Sequence, residues 1–130
     1  MLWGREVRTR ADMAACAKDL AHQFGTALLV KGGHLAGEQV SDLLLTGDGR
    51  PRWMRAARID TPNTHGTGCT LSSAIAARLA LGDDLDSAVP AAQAFIRAAL
   101  SAGAKVRTGQ GSGPLNHGFA PQAMQTRRVP

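Results

Sequence analysis

Fifteen glycines fall in clusters along these 130 residues, and the clusters bracket the apolar segments rather than diluting them. Glycine lets the backbone turn sharply and approach its neighbours closely. The chain therefore reads as short regular elements joined by tight loops. Ala27 to Lys31 (ALLVK) is an apolar run between Gly25 and Gly32-Gly33, a pattern that predicts a buried parallel strand. Ser41 to Thr46 and Arg52 to Ile59 read as strands, and Gly47-Asp48-Gly49 between them is a hairpin signal.

Helical spacing governs the rest. Thr9 to Phe24 places Met13, Cys16, Ala17, Leu20 and Phe24 on one face. Thr9 suits the N-cap, Asp12 suits a capping box, and Gly25 suits the stop. Cys16 reads there as a small core residue. A helix is expected from Cys69 to Leu81, ended by Gly82. Another, capped by Asp84, runs to Ala102, and Pro90 should kink it or shift its start. Asp83-Asp84 reads as a helix cap rather than a metal site. Residues 118–130 are expected to form a flexible, solvated tail. Helices alternating with strands give an α/β chain.

Composition narrows the function. With 44% apolar and 4% aromatic residues, and no tyrosine, a core must be built from Leu, Val, Ile and Ala. The net charge of +5 is spread over scattered Lys and Arg. Without basic runs or stacking aromatics it argues against nucleic acid and suits a polyphosphate ligand. Cys16 and Cys69 form no Cys-x-x-Cys pair, which argues against a zinc site or a disulfide framework. A reducing, cytoplasmic setting is the expectation. No apolar stretch has the length of a membrane span, and the first residues lack a signal-peptide pattern.

The chemistry concentrates in Asn63-Thr64-His65-Gly66-Thr67-Gly68-Cys69-Thr70, which opens a helix. Gly66 and Gly68 let successive N–H groups converge, and the helix start adds its own unpaired N–H groups and positive dipole end. Such a hole stabilises the charge spread over a phosphoryl group in transfer. The dipole also favours a thiolate at Cys69, which could take the proton of an attacking alcohol. The residues alone leave alternatives open. A glycine turn followed by a helix can be purely structural, and Cys69 with His65 could be a covalent nucleophile and its base. Lys31, at the end of an apolar strand before Gly32-Gly33-His34, could meet a phosphate tail.

Three strings occur in order: VKGGH (Val30 to His34), NTHGTGCTLS (Asn63 to Ser72) and GQGSGP (Gly109 to Pro114). Together they resemble the C-terminal half of hydroxymethylpyrimidine/phosphomethylpyrimidine kinase, a family of the ribokinase-like superfamily. HGTGCT is the most diagnostic run, because sugar kinases of the superfamily carry Asp where Cys69 stands. The resemblance covers about Leu2 to His117. It implies residues 1–117 as the C-terminal part of a three-layer α/β/α kinase domain, with an upstream Asn-x-x-Glu motif and the strands of the pyrimidine pocket falling before Met1.

The activity implied is ATP- and Mg2+-dependent phosphorylation of 4-amino-5-hydroxymethyl-2-methylpyrimidine and then of its monophosphate. On the matching positions, Cys69 is the base, Gly66, Thr67 and Gly68 form the anion hole, and Lys31 meets the nucleotide phosphates. Thr64 and His65 are phosphate-side neighbours, and the metal ligands are not specified. The partners implied are ATP, the pyrimidine alcohol and, in the complete enzyme, a second copy of the chain. The alternatives are a pyridoxal kinase of the same superfamily, a non-catalytic remnant or half that needs a separate N-terminal chain, and a cysteine hydrolase using Cys69 and His65. Asn116-His117 stands where many relatives show paired histidines, and His117 reads as solvated.

Overall fold

A computed structural model describes residues 2–123. The chain divides into two compact units, Met1–Arg58 and Ile59–Pro130. The first unit holds helix α1 (Arg10–Phe24) and strands β1 (Leu28–Val30), β2 (Gln39–Leu45) and β3 (Pro51–Ala57). The second holds helices α2 (Thr67–Ala80) and α3 (Leu85–Gly103).

α1 begins and ends where its sequence predicts. The Thr9 hydroxyl accepts from the Asp12 amide at 3.1 Å, and the Asp12 carboxylate accepts from the Thr9 amide at 2.8 Å. This reciprocal box satisfies two donors that the helix start leaves unpaired. Hydrogen bonds from the Thr9 side chain and from the amides of Arg8 and Thr9 hold the Asp12 carboxyl below its ordinary range. At the other end Gly25 takes the left-handed conformation (φ 61°) and donates to the Ala21 carbonyl at 2.9 Å.

The buried face of α1 lies on β2: Met13 and Ala17 meet Leu43 and Leu45, with Val30 and Trp53 packed around them. Cys16 is buried on the same helix, and that burial pushes its thiol up. The Arg10 guanidinium stacks 4.4 Å from the centre of the Trp53 ring.

The sheet corrects one expectation. Its order is β1-β2-β3 and both pairings are antiparallel, with Leu29 opposite Leu44 and Leu43 opposite Trp53. Among the described residues the ALLVK run is therefore paired on one side only, antiparallel to β2, and its residues are half-buried. The segment after Lys31 reverses and lays β2 alongside, and among the described residues no strand pairs with the other side of β1. An apolar run bounded by glycines reports that a strand is hydrophobic on both faces. It carries no information on the direction of its partner.

Two glycine positions set the geometry here. The amide of Gly32 donates to the Asp42 carboxylate at 2.9 Å, and a Cβ at Gly32 would run into the Ser41 carbonyl and the Met13 methyl. Gly49 (φ 71°) closes the β2–β3 turn by donating to the Thr46 carbonyl at 3.0 Å. Beside it Asp48 pairs with Arg52 at 2.9 Å. That contact, with the Thr46 hydroxyl and the Arg50 amide, holds the Asp48 carboxyl far below its usual range. The loop after Lys31 is tied by Arg58, which donates to the carbonyls of Gly33, Leu35 and Gly37 at 2.9, 2.6 and 2.8 Å.

In the second unit, α3 buries Ala88, Val89, Ala92, Ile96 and Ala99 on one face. These are mostly small side chains, and α2 packs against α3. Asp84 caps α3 by accepting from the Ser87 amide at 2.8 Å, and hydrogen bonding from Ser87 holds its carboxyl below the ordinary range. Pro90 lies in the second turn of an unbroken helical span, so the start is not shifted. α2 starts at Thr67, two residues before the expected Cys69, because Gly66 (φ 84°) rather than Gly68 is the N-cap. Beyond α3, Leu115 is buried and the Phe119 ring sits 5.4 Å from that of Phe95. Residues 124–130 of the expected tail lie outside the described residues. No helix among the described residues is long and apolar enough to cross a membrane.

Two outcomes test this packing. Gly32→Ala should destabilise the protein by about 1–3 kcal/mol, because the added methyl meets backbone. Gly33→Ala, with open space around its Cβ, should be near neutral by urea denaturation. The folded-state pKa values of Asp12, Asp48 and Asp84 are all depressed. The stability they lend is therefore complete above the unfolded carboxylate range near ~4 and is lost as pH falls through the folded values. A melting temperature that stayed level from neutrality to strong acid would contradict this.

Candidate active site

The loop leading into α2 is anchored by one buried side chain. Asn63 is 4% exposed, and its Nδ2 donates to the carbonyls of Gly103 at 2.7 Å and Val106 at 2.6 Å. Those carbonyls lie at and beyond the end of α3, where helical donors run out. The Asn63 amide in turn donates to the Thr61 hydroxyl at 3.1 Å, and that hydroxyl donates to the Ala104 carbonyl at 3.3 Å.

The second glycine segment runs along this loop. The His65 amide donates to the Gly113 carbonyl at 3.1 Å, and His65 and Pro114 form a parallel bridge. The Ser112 hydroxyl donates to the Pro62 carbonyl at 2.7 Å and stands 3.4 Å from the Thr64 hydroxyl. Gly113 is required to be glycine, since a Cβ there would collide with the Asn63 amide group.

The turn then converts into helix within a few residues. Gly66 adopts φ 84°, a left-handed conformation that favours glycine. The Thr67 amide and hydroxyl both donate to the Thr64 carbonyl, at 3.2 and 2.7 Å. The Thr70 amide closes the first turn on the Gly66 carbonyl at 2.9 Å. Between these, the amides of Gly68 and Cys69 donate to no other backbone group recorded among the described residues. They are the second and third helical positions, whose N–H groups point out of the helix end toward any anion placed there. Cys69 is exposed and unpaired by disulfide.

Six of the expected residues, Thr64 to Cys69, thus stand consecutively in one turn of the second unit. Cys69 is exposed and free, and His65 lies four residues before it, across the left-handed Gly66. Lys31 belongs to the first unit, exposed immediately after β1 and before Gly32.

Sequence reasoning missed three features. Asn63 carries no pattern that distinguishes a buried anchor from an ordinary loop residue. His117 is exposed, as it reads, but the sequence does not show that its Nε2 lies 2.9 Å from the Thr70 hydroxyl. A cleft of about 410 Å3, lined by Pro62, Asn63 and the run from Ala104 to Gly111, brings Lys105 and Arg107 together. In sequence those two cations are merely scattered charge. No cluster of three or more His, Cys, Asp or Glu side chains among the described residues fits a metal ion.

Comparison with known proteins places the chain in a family. A family model described as phosphomethylpyrimidine kinase matches residues 1–116. The chain is 48% identical over 118 residues to a hydroxymethylpyrimidine/phosphomethylpyrimidine kinase of Rhizobium meliloti, covering 90% of this chain and 44% of that protein. It is 49% identical over 92 residues to the Streptomyces coelicolor protein of the same name, covering 71% and 33%. Among solved structures it is similar to an ADP complex of Bacillus subtilis pyridoxal kinase, with a TM-score of 0.80 and 34% identity over 88% of this chain and 42% of that one. Staphylococcus aureus pyridoxal kinase with AMP-PCP and pyridoxal gives a TM-score of 0.81 at 27% identity over 88% of this chain and 42% of that one. The fold is α/β of the ribokinase-like kind, and the chain spans less than half the length of these relatives.

Asn63→Ala should destabilise the second unit by about 2–4 kcal/mol, since two carbonyls near the end of α3 lose their donor. Urea unfolding followed by far-ultraviolet dichroism would measure it, and a midpoint equal to wild type would contradict the anchoring role.

Proposed function

The chain belongs to the phosphomethylpyrimidine kinase family, and on that premise we propose that it carries the phosphoryl-transfer site of an ATP-dependent kinase. The acceptor on this reading is a hydroxymethylpyrimidine, and then its monophosphate, in thiamine biosynthesis. One observation supports the reading above the others. The unpaired amides of Gly68 and Cys69 stand at the start of α2, next to an exposed thiol. Fixed N–H donors at a helix start lower the barrier of a reaction in which negative charge spreads over phosphoryl oxygens. Residues 1–117 then form the C-terminal portion of a longer kinase domain, acting in the cytoplasm.

The reaction balances simply. The substrate alcohol oxygen forms a bond to the terminal phosphorus of ATP, and the bond from that phosphorus to the bridging oxygen breaks. ADP leaves with the electron pair. The proton of the alcohol passes to the Cys69 sulfur. On this reading the turn from Gly66 to Gly68 holds the moving phosphoryl group, with Thr64 and His65 beside it; for Lys31, in the other unit, contact with the nucleotide phosphates is proposed from the resemblance alone. Magnesium would shield the nucleotide phosphates.

Pyridoxal is the second acceptor considered, because the solved structures of similar shape include pyridoxal kinases. Identity of 48–49% to the pyrimidine kinases against 34% to the Bacillus subtilis pyridoxal kinase favours the pyrimidine. Incubation with ATP and each alcohol separately, followed by ADP release, decides between them. Faster turnover of pyridoxal would reverse the assignment.

The two phosphorylations need the thiol unequally. An alcohol must lose a proton as it attacks, whereas a monophosphate oxygen is already anionic. Cys69→Ala should therefore slow phosphorylation of the alcohol by about 10²–10⁴-fold and that of the monophosphate far less, with ATP affinity little changed. Lys31→Ala should chiefly raise KM for ATP. Equal losses in both steps for Cys69→Ala would remove the base role.

A further inference from the structure

The ring of His117 touches the first turn of α2. Its Nε2 meets the Thr70 hydroxyl at 2.9 Å, either accepting from it or donating to it according to the tautomer. Thr70 is the residue whose amide closes that turn on the Gly66 carbonyl. Its hydroxyl lies 4.0 Å from where a Cβ on Gly66 would stand. The contact therefore reaches the side of the helix that carries the left-handed glycine.

The segment that presents His117 is itself fixed. Leu115 is 3% exposed, the Asn116 amide donates to the Ala99 carbonyl of α3 at 3.2 Å, and the Gly118 amide donates to the Asn116 side chain at 3.1 Å. A Cβ on Gly103 would stand 2.9 Å from the Asn116 amide nitrogen, so segment and helix are in close contact. An exposed imidazole between two anchored residues and a helix start is a brace. Left alone, the first turn of a helix frays, because its early N–H groups have no carbonyl partners.

We propose that His117 is a positioning residue of the phosphoryl-transfer site: through Thr70 it clamps the first turn of α2 and so keeps the Gly68 and Cys69 amides aimed at the phosphoryl group. This rests on the kinase reading for its function, though not for its geometry. Glutamine is the conservative replacement, since its amide can reach the place of Nε2 and serve as donor or acceptor.

The full chain is compared as wild type, His117→Ala and His117→Gln, by amide hydrogen exchange without ligand and by ATP-dependent phosphorylation of the hydroxymethylpyrimidine. Loss of one hydrogen bond should speed exchange at the Thr70 amide by roughly three- to tenfold in His117→Ala. The amides of Ala92 and Ile96 in α3 should be unchanged, and His117→Gln should restore most of the protection. In the same order kcat should fall by a similar factor and recover, with KM for the alcohol held. Unchanged exchange at Thr70, equal acceleration throughout α3, or a glutamine variant that behaves like alanine would each overturn the proposal. Should the wild-type chain phosphorylate neither alcohol, the same variants are assayed in the longer kinase domain, whose inactivity toward both alcohols would defeat the kinase reading, and the exchange comparison still decides the role of His117.

Discussion

A carboxamide sealed from water holds the second unit in order. Asn63 gives both of its N–H groups to carbonyls at and beyond the end of α3. Its side chain also stands where a Cβ on Gly113 would have to go. One residue thus settles where the loop enters α2, how α3 finishes, and how near the second glycine segment comes. In a low-dielectric setting such a group is stabilising only while every polar atom is matched. No buried side-chain polar atom among the described residues lacks a partner. The Gly66–Gly68 turn inherits its shape from this junction, since the turn itself has little apolar surface to bury.

Much of the local structure was legible in the residues. The capping box of α1, its left-handed glycine stop and the Asp84 cap of α3 are short-range devices, written within three or four positions. The β2–β3 hairpin was equally plain, because its turn and its two runs are contiguous. What escaped was long-range. The antiparallel partner of β1 depends on how residues 31–38 reverse, which Arg58 helps to set from more than 20 positions away. The α2 start shifted by two residues because either Gly66 or Gly68 could have capped it, and only the observed φ of 84° at Gly66 decides.

The site was legible in a similar proportion. A run of glycines around a cysteine before an apolar helix pattern announces a turn with convergent donors, and two amides of that turn have no backbone acceptor among the described residues. Residues that act on this turn from a distance left no such trace. Asn63 and His117 reach their partners across 40 and 47 positions, and Ser112 reaches Pro62 across 50. In each case a polar loop residue has an ordinary sequence neighbourhood and an unusual spatial one. Resemblance reached the family because it carries the order of distant strings, which periodicity does not.

The edge position of β1 has a consequence for handling the protein. A strand paired on one side offers a row of peptide groups to any other extended chain, and concentrated solutions can answer by stacking sheet on sheet into aggregates. Here the exposed row is only three residues long and is followed at once by Lys31 and two glycines. Charge and backbone freedom of that kind act as gatekeepers against fibre growth. The same lysine assigned to a nucleotide tail would then also guard solubility, so its removal would have a colloidal cost separate from any loss of turnover.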